Sequence, residues 1–160
     1  MKDTYNVKID KDINEGLNKD KRTKILSFVI GDQEYGIDIS YITTIIENKF
    51  LITRVPGAPE YIKGVINLRG DIVPIMELRR KLKLPCVEDT PDTKVIVIDF
   101  QEILLGIKVD QVNEVIEISD SSVETISGIS DDEISEYYKG ICKIGDKVVI
   151  LFDIENIIKK

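Results

Sequence analysis

Tyr61-Ile62-Lys63-Gly64-Val65-Ile66-Asn67-Leu68-Arg69-Gly70-Asp71-Ile72-Val73-Pro74-Ile75-Met76-Glu77-Leu78 sets two apolar runs on either side of Arg69-Gly70-Asp71. Glycine adopts the positive φ that a tight turn needs, and β-branched runs flanking it favour extended backbone, so the stretch reads as a β-hairpin. The same plan returns at Tyr137-Tyr138-Lys139-Gly140 and runs through Lys143-Ile144-Gly145-Asp146-Lys147 to Ile154, at a constant offset of 76 residues. A second register links Gly36-Ile37 to Gly106-Ile107 at an offset of 70, and it also aligns Ile42 with Val112, Ile45 with Val115 and Glu47 with Glu117. The chain is therefore two copies of one strand-rich unit.

Around these hairpins the remaining segments fall into place. Residues 1–22 alternate Lys, Asp, Asn and Glu with isolated apolar residues and read as a flexible arm. Short β-rich runs on both sides of Gly31-Asp32 predict another hairpin over residues 24–39. Ser40 is read as the cap of a short helix that places Ile42, Ile45 and Ile46 on one face, a stripe of the kind that usually belongs to a core. Two prolines make 55–60 a rigid loop, and Pro85 to Pro91 forms a linker between the halves. Asp120 to Glu136 is Ser-, Asp- and Glu-rich and reads as a long surface loop, while Asp153 can cap a terminal helix.

Many short strands with few helices predict an all-β fold of two small five-stranded barrels of SH3/OB-like type, with short helices and a C-terminal helix. A unit of about 60 residues buries too little surface to be stable alone, so the two should share apolar area and leave a groove between them. The expected organisation is an arm over 1–22 and one domain over 23–160. Its two subdomains cover roughly 25–88 and 89–158, with strands exchanged between them.

Composition removes several function classes. Hydrophobic content of 42% and charged content of 32% are those of a folded globular chain, and a net charge of −7 opposes a phosphate-binding face. With 6% aromatic residues and no Trp, an oligonucleotide-binding small barrel, the alternative that the fold suggests, lacks its basic groove and stacking platform. Cys86 and Cys142 form no metal-spaced or disulfide pattern, which suits a reducing cytoplasm. No signal peptide or membrane-length apolar run is visible, so a soluble protein is expected.

No His occurs anywhere, which eliminates Ser-His and Cys-His nucleophile pairs. No phosphate loop, dinucleotide fingerprint or metal-spaced cluster is present, so neither a catalytic residue, a metal nor a cofactor is expected. Asp131, Asp132, Glu133 and Glu136 lack the regular spacing and Gly turn of a calcium loop and read as a solvated face. Asp99 and Asp110 are explained by strand and turn positions without a hydrolytic role. Arg69-Gly70-Asp71 matches an integrin-type tripeptide, which has no use inside a cell; from residue type alone Arg69 is a hairpin-tip side chain in solvent.

Taken in order, Tyr35-Gly36-Ile37-Asp38-Ile39, Pro59, Tyr61 to Gly70, Ile72 to Ile75, Glu77-Leu78-Arg79, Gly106 to Asp110 and Tyr138-Lys139-Gly140 resemble the CheW family of chemotaxis coupling proteins across residues 24–158. That resemblance implies two intertwined barrels and a scaffold without catalytic activity. It implies two partners, the cytoplasmic tip of a chemoreceptor and the regulatory domain of the histidine kinase CheA, which shares the fold. It also implies a cytoplasmic location at membrane-associated receptor arrays, reached through partners rather than by membrane insertion. The receptor tip is expected in the groove between barrels. Arg69 matches the arginine of the family's N-x-R-G motif, with Asn67 as its first residue. Ile42, Thr44 and Ile45 match the segment implicated in receptor contact, and Gly64, Gly106, Val112 and Val115 match positions implicated in coupling. Thr44 stands where an acidic residue is usual; Glu47, one turn further along the expected helix, is the nearest carboxylate. The loop around Ile129 is the expected kinase contact.

Overall fold

Residue 69 and residue 70 both have positive φ (56° and 92°), the signature of a two-residue hairpin turn whose twist matches that of its strands. Asn67 makes this possible with a non-glycine at the tip, because its Oδ1 accepts the Gly70 amide at 2.9 Å. The computed structural model describes residues 21–125 and 136–159. Their elements in order are β1 (Arg22–Ile30), β2 (Gln33–Asp38), β3 (Ile42–Glu47), β4 (Ile62–Leu68), β5 (Asp71–Glu77), α1 (Leu78–Lys81), β6 (Lys94–Phe100), β7 (Ile103–Val109), β8 (Gln111–Ser119), β9 (Val123–Glu124), β10 (Tyr138–Ile144), β11 (Lys147–Phe152) and α2 (Ile154–Lys159). Short 3₁₀ turns cover Ile39–Tyr41 and Asp120–Ser122.

The strands form two sheets, one in the order β8-β1-β2-β11-β10-β9 and the other β3-β6-β7-β5-β4. Each sheet takes strands from both halves of the sequence: β8, β10 and β11 join β1 and β2, whereas β3, β4 and β5 join β6 and β7. The halves are intertwined as expected, but neither sheet is a closed barrel. The ladders end at β8 and β9 in one and at β3 and β4 in the other. Both hairpins of the Tyr-x-Lys-Gly plan form, β4 with β5 and β10 with β11, and each carries a bulge at its lysine, Lys63 and Lys139.

The expected helix after Ser40 is instead the strand β3. Asp38, not Ser40, caps the preceding 3₁₀ turn, its Oδ1 accepting the Ser40 amide at 2.9 Å. Ile42-Thr43-Thr44-Ile45-Ile46 is a β-branched run, stiff at χ1 and suited to a pleated surface, and β6 offers it a ladder. Ile42, Ile45 and Ile46 therefore do not share a face. Ile42 packs on the central core, Ile46 on the core of its own sheet, and Ile45 points outward. Thr44 and Glu47 are likewise not one helical turn apart. In the stretch read as a long loop after Asp120, β9 pairs with β10, and residues 126–135 lie outside the described residues, as does the arm over 1–20.

Burial follows period 2. In β1, Leu26, Phe28 and Ile30 enter a central cluster to which both sheets contribute, while Ile25 enters a smaller cluster made by the first sheet alone. In β6, Ile96, Ile98 and Phe100 enter the central cluster, and Val95 and Val97 enter the corresponding cluster of the second sheet. Both strands are thus covered on both faces, which explains their unbroken apolar runs. Phe28, Tyr35 and Phe152 stack in the centre with ring centroids 4.9 to 5.9 Å apart.

Gly64 is required by close approach rather than by a turn. Thr53 and Val65 exchange backbone hydrogen bonds of 2.9 and 2.8 Å, and a Cβ on Gly64 would lie 2.4 Å from the Thr53 carbonyl oxygen. On Gly106 its close contacts would be side-chain methyls, Ile75 Cδ1 at 2.7 Å and Val95 Cγ1 at 2.9 Å, with the Pro74 carbonyl oxygen at an ordinary 3.6 Å. Backbone yields less than a side-chain methyl, so Gly64→Ala should destabilise the fold by about 2–3 kcal/mol and Gly106→Ala by about 1 kcal/mol, read from urea unfolding midpoints at constant m-value. Equal losses would show that the 52–53 segment moves aside freely.

Candidate functional site

Arg69 sits at the exposed tip of the β4–β5 hairpin, and no salt bridge holds it among the described residues. A guanidinium presented this way keeps its planar donors for a partner. Asn67 is exposed beside it but spends its carbonyl on the Gly70 amide.

The other expected contact residues fall on two equivalent edge strands. Ile42, Thr44 and Ile45 belong to β3, which pairs only with β6; Val112 and Val115 belong to β8, which pairs only with β1. Both edges carry a bulge at the duplicated place, at Thr43 in β3 and at Asn113–Glu114 opposite Ser27 in β8. Ile42 and Val112 turn into the central core, whereas Ile45 and Val115 are 40% and 54% exposed. A bulge re-aims side chains and stops a ladder from extending, so each edge presents a β-branched side chain without offering a flat strand for indiscriminate pairing. Gly64 and Gly106 are buried, and the structure gives them a packing role rather than a surface one. The expected residues are therefore spread over the tip of the second sheet and one edge of each sheet. Ile129 lies outside the described residues.

The space where the two sheets meet, expected to be a groove, is filled by the central cluster. A cavity of about 1080 Å³ opens elsewhere, between the 52–60 loop and the linker residues Cys86 to Asp89, and none of the expected receptor-contact residues lines it. Lys63, Glu77 and Lys108 line its charged side. Lys108 is buried and binds Glu77 Oε2 at 3.0 Å and the Asp89 carboxylate. Burial alone would lower the Lys108 pKa, but the two carboxylates outweigh it and hold the ammonium above the usual lysine value. Burial and the adjacent Lys108 push Lys63 the other way.

A second ion pair ties the sheets together. Arg79 grips Asp110 through Nη2 at 2.6 Å and Nε at 3.3 Å, donates from Nη1 to the Pro85 carbonyl, and Asp110 also accepts the Gly31 amide at 2.8 Å. Lys81, buried, lies 3.9 Å from the Tyr61 ring centroid and 5.1 Å from that of Tyr137, its duplicate at offset 76. Asp99 accepts the Glu102 amide at 2.9 Å in the β6–β7 turn, so Asp99 and Asp110 serve separate structural roles. Sequence reasoning passed over Glu77, Lys108 and Lys81. The available signal was a charge inside an apolar run, as in Ile-Met-Glu-Leu and Gly-Ile-Lys-Val.

Among the described residues no group of three or more His, Cys, Asp or Glu is placed to hold a metal, and no helix is long and apolar enough to cross a membrane. What the fold presents is a pair of intertwined β-sheets with paired edges and an exposed arginine tip, the plan of a docking scaffold. The model of the CheW-like domain matches residues 24–160. The chemotaxis protein CheW of Klebsiella aerogenes is 36% identical over 84% of this chain and 81% of its own length, and that of Thermotoga maritima is 32% identical over 88% and 90%. The crystal structure of the scaffolding protein TtCheW from Thermoanaerobacter tengcongensis superposes with a TM-score of 0.79 at 29% identity, covering 88% of this chain and 94% of that one. The chain belongs to the CheW-like family and is a chemotaxis scaffold. The oligonucleotide-binding alternative is not favoured.

Burial pushes the Asp110 carboxyl up, but Arg79 and the Gly31 amide reverse that and hold it below the ordinary carboxylate range. A depressed carboxylate stabilises the fold fully above its unfolded-state pKa and ceases to do so as pH falls through its folded-state pKa. Wild-type unfolding free energy should therefore decline below about pH 4, and Asp110→Asn should be less stable at neutral pH with a shallower acid decline. Parallel pH profiles for the two proteins would refute this linkage.

Proposed function

We propose that this chain couples the cytoplasmic tip of a chemoreceptor to the regulatory domain of the histidine kinase CheA, as a non-catalytic adaptor at membrane-associated receptor arrays. Family membership across residues 24–160 carries the reading, and the geometry supports it: both require docking faces held in fixed relation by a shared core. The receptor contact is assigned to Arg69 at the hairpin tip, to Ile45 and Thr44 on β3, and to Val115 on β8. Apolar β-branched side chains accept the apolar face of a helix, and the guanidinium supplies directional donors to polar groups at its margin.

Such contacts need only about 800 Å² per partner, and each is allowed to be weak because repeated contacts in an array raise effective concentration. Signal transfer then needs a coupling free energy between two faces, typically about 1–3 kcal/mol, and no bond made or broken by this chain. Thr44, standing where an acidic residue is usual in the family, removes a charge from β3 and places more of the recognition on Arg69.

The purified chain should co-sediment with a receptor cytoplasmic fragment and with CheA; absence of either complex overturns the adaptor role. Arg69→Glu should lower capture of the receptor fragment at least tenfold while leaving unfolding stability within about 0.5 kcal/mol, because an exposed tip side chain contributes little to the core. Unchanged capture would remove Arg69 from the contact.

A further inference from the structure

The duplication supplies an internal control, since β1, β2 and β8 of one sheet have counterparts at offset 70 in β6, β7 and β3 of the other. In the second sheet, Val97 and Leu104 lie on β6 and β7 and pack with the cluster inside that sheet. Their counterparts at offset 70 in the first sheet are Ser27 and Glu34, a hydroxyl and a carboxylate at apolar positions. Ser27 is fully buried, and the Glu34 side chain is only 12% exposed. Ser27 Oγ donates to Glu34 Oε2, and Asn113 Nδ2 donates to the same oxygen at 3.3 Å. Lys147 Nζ lies 3.5 Å from Glu34 Oε1 and 3.8 Å from Glu114 Oε2. One carboxylate thus gathers β1, β2, β8 and β11.

The fold alone does not need this cluster. Replacing a largely buried ionic group by packed apolar side chains is often neutral or stabilising, and the second sheet closes the equivalent place with Val97 and Leu104. What the cluster does contact is the β8 bulge. Asn113 and Glu114, the two residues that face the single residue Ser27, are the ones reached by Glu34 and by Lys147. The bulge immediately precedes Val115, the exposed large apolar side chain of that edge. In β3 the corresponding bulge at Thr43 has no such carboxylate beneath it, because residue 104 is leucine.

We propose that Glu34, held by Ser27 and Lys147, is a positioning residue of the β8 edge: through Asn113 it fixes the bulge in the form that presents Val115 to the receptor helix. The inference rests on the adaptor reading above and adds to it a residue that touches no partner. It also makes the two edges different in stiffness, the β8 bulge being pinned from beneath and the β3 bulge being free to adjust.

The test uses the full chain, a receptor cytoplasmic fragment and CheA, with dissociation constants for each partner and urea unfolding for each variant. Asn113→Ala removes the exposed donor and leaves the buried groups in place. Ser27→Val with Glu34→Leu installs the residues of the second sheet. Both should bind the receptor fragment about three- to tenfold more weakly while CheA binding and unfolding stability stay at the wild-type level. Glu34→Gln keeps an acceptor for Asn113 and should retain most of the receptor affinity. Backbone amide exchange at Asn113 to Val115 should quicken in the first two variants and not in the third. Receptor affinity unchanged in Asn113→Ala overturns the proposal, as does equal loss of both partners, which marks a general structural role. If the double variant unfolds, Asn113→Ala decides alone. A wild-type chain that captures no receptor fragment removes the adaptor reading and this inference with it, whereas wild-type capture matched by Asn113→Ala removes the inference alone.

Discussion

Burying both faces of β1 and β6 is the constraint from which the architecture follows. Each strand carries apolar side chains at successive positions, so one face is satisfied by the curl of its own sheet and the other only by a second sheet. Phe28, Ile30, Ile96, Ile98 and Ile107, all essentially inaccessible, meet in the central cluster, and no single half of the sequence provides it. Exchange of strands strengthens the arrangement, because separating the two halves of the sequence would strip β8 from β1 and β3 from β6 as well as opening the core. Arg79 with Asp110, and Lys81 between Tyr61 and Tyr137, then fix the connections around that core with directional contacts. Hydrophobic burial supplies most of the driving force, and these buried cations select one relative placement of the parts.

A molecule built this way can offer a partner only what the core leaves over. Two sheets that do not close leave edges, and an edge strand is a hazard unless it is modified. Here β3 and β8 carry the modification at the duplicated position, a bulge that breaks the ladder and turns a β-branched residue outward. The hairpin tip at Arg69 projects from the same second sheet whose edge is β3, and its backbone is held by Asn67 rather than by the partner. Preorganisation of this kind lowers the ordering cost of the contact proposed for the tip.

Much of the fold was legible because duplicated hairpins repeat their turn residues at fixed spacing. Gly64 and Gly140, and Gly36 and Gly106, recur at fixed spacing because each allows a close approach that a side chain would block. In the segment after Ser40, Ile42, Ile45 and Ile46 satisfy a helical period over too short a run to exclude a strand. Tertiary pairing with β6 decided the matter, and the β-branched content was the better guide. Of the site, Arg69 was legible as a hairpin-tip side chain, whereas its own positive φ and the support of the turn by Asn67 were not. The separation of Ile42 from Val112 onto different sheets was not, since strand exchange depends on which of two nearly identical halves a strand chooses, and local sequence carries no record of that choice. The buried pairs Glu77–Lys108 and Arg79–Asp110 were equally hidden, because partners 31 residues apart meet only after β5 and β7 align in parallel.

Divergence between the halves has its own physical cause. The linker from Pro85 to Pro91 occurs once, so only one copy of the unit has to pack against it. Lys108 in β7 corresponds at offset 70 to Asp38, and Glu77 at the end of β5 corresponds at offset 76 to Asp153. Where no linker lies, Asp38 caps a 3₁₀ turn and Asp153 accepts the Asn156 amide at 3.2 Å at the start of α2. Where the linker lies, Lys108 replaces one cap, bonds to Asp89 in the linker itself and needs Glu77 to remain charged while buried. The same carboxylate position therefore serves as a helix cap in one half and as a counter-ion in the other. The linker is stapled to the sheet beside the 52–60 loop, and the cavity lies between them.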